Sequence, residues 1–155
     1  MKAHTYEKAF LITGGIVLAL CASALVYTTL GMGMHLPGRV GEIDPAKVYQ
    51  TAPFNAPGVR KIAEGRYEVV LVAQAWAFVP AEIRVPRNAE VTFIATSVDV
   101  IHGLAVERTR VNMMLIPGQI GRITHTFRKP GEHLLICHEY CGTAHHMMYG
   151  KVIVE

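Results

Sequence analysis

Hydrophobic and polar positions change their rhythm twice along this chain. From Ala9 to Met34, "AFLITGGIVLALCASALVYTTLGMGM", there is no charged residue. Ala9 to Leu30 alone would make a helix of ~33 Å, enough for a hydrocarbon core of ~30 Å. Tyr6 and Tyr27 lie near its ends, where interfacial aromatics are common. The stretch predicts one membrane-spanning helix. "CASA" (21–24) carries an Ala-x-Ala-like signal cleavage site. The apolar run continues past it, however, and signal cores span only about 7–15 residues, so an uncleaved anchor is the better reading. A lipoprotein site at Cys21 is disfavoured because Leu20, not a small residue, precedes it. Cys21 is then a small apolar packer.

Residues 35–66 are rich in Pro and Gly and read as a connector laid over a surface. One short helix is predicted within it, with Asp44 as N-cap and Pro45 at the first helical position. From Tyr67 the period shortens to that of strands. The predicted strands are "YEVVLVAQ" (67–74), "EIRVP" (82–86), "EVTFIATS" (90–97), "GLAVE" (103–107), "RITHTF" (122–127), "EHLLIC" (132–137) and "KVIVE" (151–155). In 90–97, Val91, Phe93 and Ala95 fall on one face and Thr92, Ile94 and Thr96 on the other. About seven short strands with regular turns argue a small β-sandwich or barrel. The division is 1–34 tail and membrane helix, 35–66 connector, 67–155 β domain.

Composition adds little. The net charge of +3 is mild and its basic residues are scattered, so nothing suggests nucleic acid. Counting only Lys and Arg, Lys2 and Lys8 favour a cytoplasmic N-terminus. The β domain would then face the outside, an oxidising compartment in which a Cys137–Cys141 disulfide must be considered.

The chemistry is concentrated in "CHEYCGTAHHMM" (137–148), on the loop before the last strand. Soft and borderline donors cluster this way around a transition metal. Zinc fits poorly, since finger spacings are absent and zinc has no use for methionine. Mononuclear blue copper needs one thiolate on such a loop, and here there are two. Two thiolates that reach one point can bridge two coppers, each taking one imidazole and a weak axial donor. Cys137 and Cys141 supply the bridges, His145 and Met148 follow on the loop, and His102 in "DVIHG" (99–103) offers the distant imidazole.

The pattern C-x-E-x-C-x-x-x-H-x-x-M, preceded by "DVIHG", resembles the binuclear CuA site of subunit II of cytochrome c oxidases. The likeness runs through most of 67–155. It implies an all-β cupredoxin-like Greek-key sandwich with one N-terminal transmembrane helix. It also implies copper ligands His102, Cys137, Cys141, His145 and Met148, with the Glu139 carbonyl as the sixth. A single membrane helix is similar to subunit II of the B-type haem–copper oxidases. The implied function is electron entry: cytochrome c or a similar donor reduces the copper pair. The electron then passes to subunit I, with its haem and CuB, for oxygen reduction coupled to proton pumping at the plasma membrane. The chain would be a subunit of an enzyme, with no catalytic residue of its own. A CuA-containing nitric oxide reductase and a membrane-anchored copper-delivery cupredoxin are the alternatives.

Other residues are weighed individually. Trp76, the only tryptophan, is the expected electron entry point, since the family carries aromatics in this segment. Glu7, the only acidic residue before the helix, marks a membrane edge where a proton path could begin. His138 and His146 are read as bystanders and His125 as a core histidine. His4 and His35 are read as interfacial, Met113 and Met114 as packing or docking residues, and Asp99 as a turn-capping or ligand-orienting residue.

Overall fold

The computed structural model describes residues 3–31 and 38–155; His35 lies outside them. The chain divides into two compact units, Met1–Leu36 and Pro37–Glu155. The first is helix α1 (Ala3–Val26), continued by a π-helical turn, Tyr27–Gly31. His4–Gly31 is long and apolar enough to cross a membrane, and its apolar side chains are uncovered within the chain.

The second unit has eleven strands among the described residues: β1 (Gly38–Glu42), β2 (Gly58–Ala63), β3 (Arg66–Gln74), β4 (Ala77–Val79), β5 (Glu82–Val85), β6 (Glu90–Ser97), β7 (His102–Val106), β8 (Asn112–Leu115), β9 (Gln119–Thr126), β10 (Gly131–Ile136) and β11 (Tyr149–Val154). They form two sheets. One has the order β1-β9-β6-β3-β2 with β4 paired to β3, the other β5-β11-β10-β7-β8. Parallel pairs β3–β6 and β5–β11 tie distant parts of the chain together.

The main core includes Val69, Leu71, Val91, Phe93, Leu104, Phe127, Leu135 and Val152. Val91, Phe93 and Ala95 point into it, as the alternation predicts. Cys137, Cys141 and Met148 belong to the same cluster, so the metal-type loop closes the end of the hydrophobic core.

The stretch expected to be a connector with one short helix is more ordered than that. It contributes β1 and β2, and between them the 3-10 helix Pro45–Gln50, capped by Asp44 as predicted. Ile43, Val48 and Phe54 from this stretch pack on Val70, Val72 and Ile94, making a second cluster. The unbroken run Val69–Ala73 is the signature of a strand covered on both faces. β1, β4 and β8 escape sequence reading because they are short or interrupted by Gly, and β2 (GVRKIA) because it has no regular alternation. Met113 on β8 is core, and Met114 faces outward.

One backbone approach is too close for any side chain. A Cβ on Gly150 would fall on the Ala81 carbonyl oxygen, which accepts the Lys151 N–H at 2.8 Å. Gly150→Ala should push β11 from the Ala81 corner and cost about 2 kcal/mol, or roughly 5–10 °C in midpoint. Thermal unfolding of the β unit followed by near-ultraviolet circular dichroism checks this; an unchanged midpoint would mean that the corner yields freely.

Candidate metal centre

Three loops meet at one end of the two sheets: 75–76 between β3 and β4, 98–101 between β6 and β7, and 137–148 between β10 and β11. The last is pinned at its base, where the Cys137 N–H donates to the Met148 carbonyl at 3.2 Å. Within it, the His145 N–H donates to the Gly142 carbonyl and starts a single 3-10 turn, His145–Met147. Pinning brings the first and last residues of the motif side by side, and the turn aims His145 and Met148 inward.

The sulfurs and imidazoles converge. Cys137 Sγ and Cys141 Sγ lie 3.8 Å apart and both are free thiols. His102 Nδ1 is 3.9 Å from Cys137 Sγ, and His145 Nδ1 is 3.4 Å from Cys141 Sγ. Met148 Sδ lies 3.7 Å from Cys141 Sγ, and the Glu139 carbonyl 3.3 Å from Cys137 Sγ. One donor atom each from His102, Cys137 and Cys141 lies within 4.8 Å of the others. All six residues named from sequence are therefore neighbours. Cys137, Cys141, Met148 and His102 are buried, the last completely. His145 is half-buried and faces an open groove of about 460 Å³ lined also by Leu134, Ile136, His146 and Tyr149.

Burial and the adjacent Cys137 thiol push the Cys141 thiol up to about 11. Without a bound cation its thiol stays protonated at neutral pH, and metal loading must release that proton. At Asp99, burial pushes the carboxyl up. Hydrogen bonds from His102 and from the Ala75 and Val100 amides outweigh burial and hold it below the ordinary value.

The remaining expectations separate. Trp76 is 42% exposed, and its indole Nε1–H donates to the Cys141 carbonyl at 3.1 Å. His138 is exposed and rests on the bare backbone of Gly103, where a Cβ would come within 2.5 Å of its ring. His146 is exposed. His125 is half-buried, edge-on to Phe127 at 4.8 Å, and burial pushes its pKa down. Glu7 lies on α1, 3.6 Å from His4 Nδ1. Sequence reasoning named Trp76 and Asp99 but not the bonds from Trp76 to Cys141 and from Ala75 to Asp99; no local signal reports contacts 65 and 24 residues apart.

Two packed sheets capped by a largely buried Cys–Cys–His–His–Met constellation define a cupredoxin-like domain preceded in sequence by one apolar helix. Residues 64–155 match the family model described as cytochrome c oxidase subunit II, periplasmic domain. Cytochrome c oxidase subunit 2 of Thermus thermophilus is 36% identical over 162 aligned residues, covering 99% of this chain and 96% of that protein. This chain therefore belongs to the cytochrome c oxidase subunit II family. Among solved structures, a heme-copper terminal oxidase dimer studied by cryo-electron microscopy matches with a TM-score of 0.79 and 36% identity, covering 97% of this chain and 99% of the matched one. The periplasmic domain of subunit II of the Bradyrhizobium japonicum cytochrome oxidase shares the fold, with a TM-score of 0.53, 21% identity and coverage of 57% and 83%.

Proposed function

We propose that this chain is the electron-entry subunit of a haem–copper cytochrome c oxidase of the B type. In this reading it takes electrons from cytochrome c at a binuclear CuA centre and passes them to haem in subunit I, where oxygen reduction drives proton pumping. The observation that carries the reading is the pair of free thiols 3.8 Å apart, each beside its own imidazole.

The donor set fits copper. Two thiols, two imidazoles, a thioether and a carbonyl are the soft-to-borderline mixture that copper takes, whereas a structural zinc site would leave Met148 without a use. His102, Cys137, Cys141, His145, Met148 and the Glu139 carbonyl would hold the pair. When bound, the copper pair supplies a one-electron couple shared between two ions. The protein's part is to hold the donors still and dry. The loop is pinned at its base, β7 carries His102, and burial keeps water from the sulfurs, so the donors need move little between redox states. Trp76 would lead inward from the surface through its hydrogen bond to Cys141. The six donors leave no position for a substrate, which fits a relay rather than oxygen chemistry. The Lys2 and Lys8 bias favours a cytoplasmic N-terminus, with the β unit on the outer face.

The test is to load the full chain with copper in detergent and measure metal content and electron spin resonance. Two coppers per chain and a seven-line hyperfine pattern are expected. One copper with a four-line pattern would replace this reading with a mononuclear or delivery cupredoxin.

A further inference from the structure

We propose that the groove beside His145 is the route by which Cu(I) enters the metal centre, and that the exposed His146 imidazole captures the ion there and hands it inward. The inference rests on the copper reading above and concerns how the site is filled.

The site's own donors are poorly placed to meet a metal from solution. His102 is fully buried, and Cys137, Cys141 and Met148 are buried. A metal ion leaves one set of donors as another takes hold, so the first protein donor must stand in solvent. The groove of about 460 Å³ brings solvent to these residues, since Cys137, His145 and Met148 form part of its lining. Among the imidazoles and sulfurs of that lining, only His146 is exposed.

Its place is fixed and its ring is uncommitted. The 3-10 turn is closed by the Met147 N–H donating to the Ala144 carbonyl at 2.9 Å and the Met148 N–H to the His145 carbonyl at 3.1 Å. His146 is thereby held next to His145 and two residues before Met148. The His145 ring has neighbours, Cys141 Sγ at 3.4 Å and the Tyr140 ring at 5.9 Å between centroids. The His146 ring has no hydrogen-bond, ion-pair or aromatic partner among the described residues.

The rest of the lining selects the ion. Leu134, Ile136 and Tyr149 make the walls largely apolar, and no carboxylate is among the lining residues. Hard cations such as Mg²⁺ and Ca²⁺ require oxygen donors. Cu(I) takes imidazole, thioether and thiolate. The handover is ligand exchange with no change of oxidation state. Two Cu(I) ions bind, the two thiols release two protons to solvent, and the filled site is the reduced one.

The experiment follows anaerobic uptake of Cu(I), supplied as its bicinchoninate complex, by the metal-free full chain in detergent. Loss of the complex's colour in a stopped-flow instrument gives the rate, under conditions where it rises with protein concentration. Oxidation afterwards and electron spin resonance report the finished site. His146→Gln should slow uptake roughly tenfold, the low end of what an auxiliary residue contributes at a metal site, and finish with the wild-type copper content and spectrum. His146→Met, which restores a soft donor, should recover most of the rate. His138→Gln removes an exposed imidazole of the same loop that is not in the lining, and should leave the rate unchanged, as should Met147→Leu. A wild-type rate in His146→Gln overturns the proposal, as does equal slowing by His138→Gln. An altered final spectrum in His146→Gln also overturns it, because His146 would then belong to the finished site. If the wild type finishes with fewer than two coppers, the copper-pair reading fails, and the ratio of the His146→Gln and wild-type rates still judges the entry route.

Discussion

Cys141→Ser is expected to abolish the electron-sharing copper signal and to cost at least one of the two coppers. The reason is geometric and chemical together. Cys137 and Cys141 are the only pair of thiols close together among the described residues, at 3.8 Å. Serine keeps nearly the same volume, so the core around a residue only 7% exposed survives. Its hydroxyl is a harder donor and does not ionise near neutral pH, so it cannot take the place of a bridging thiolate. One thiolate then faces two imidazoles and a thioether, a donor set for a single copper. Metal analysis and electron spin resonance should find about one copper and a four-line pattern in place of seven lines, with the far-ultraviolet circular dichroism of the wild type. A seven-line spectrum with two coppers in the serine variant would remove Cys141 from the bridging role.

The second large effect is expected at the surface. Trp76→Ala should slow reduction by cytochrome c roughly tenfold or more, the cost of truncating an aromatic anchor at the centre of a contact, while the copper spectrum stays intact. The indole is part-exposed, lies against Gly142 and bonds to the Cys141 carbonyl. It therefore joins the outer surface to the backbone of a proposed ligand. Tyr49, Val100 and Ile101, on segments bonded to the same corner, are 45%, 44% and 43% exposed and extend the apolar surface. From Leu36 onward there are 13 Lys+Arg against 11 Asp+Glu, so net charge provides little steering. Stopped-flow reduction should accordingly depend only weakly on ionic strength. Trp76→Phe separates the roles, because it keeps an aromatic but loses the N–H. A wild-type rate in Trp76→Ala, or loss of the fold, would make Trp76 structural and move electron entry elsewhere.

How far the sequence reaches can be argued from particular elements. The apolar run 9–34 announced α1 because nothing but length and the absence of charge is needed to see a helix able to cross a membrane. Strands β3, β5, β6, β7, β9, β10 and β11 were legible because period-2 alternation or a β-branched run is a local property. The loop 137–148 was legible because Cys137, Cys141, His145 and Met148 share twelve consecutive positions, and donor chemistry needs no fold to be recognised. The stretch 35–66 was read as a connector with one short helix, and its two strands were not seen. Its apolar residues Ile43, Val48 and Phe54 are too sparse to show a period, and only the outer face of β3 and β6 gives them something to cover.

What tertiary structure alone decided is the assembly of parts remote in sequence. His102 is 35 residues from Cys137, Trp76 is 65 from Cys141, and Ala75 is 24 from Asp99. Their meeting depends on the parallel pairing of β3 with β6 and on β7 lying beside β10. Strand order is set by burial of whole faces, and no local pattern encodes it. The sequence by itself therefore determined which donors exist and which metal chemistry they suit. The sheets decided that these donors share one point at the end of the core, with Asp99 and Trp76 bonded around it.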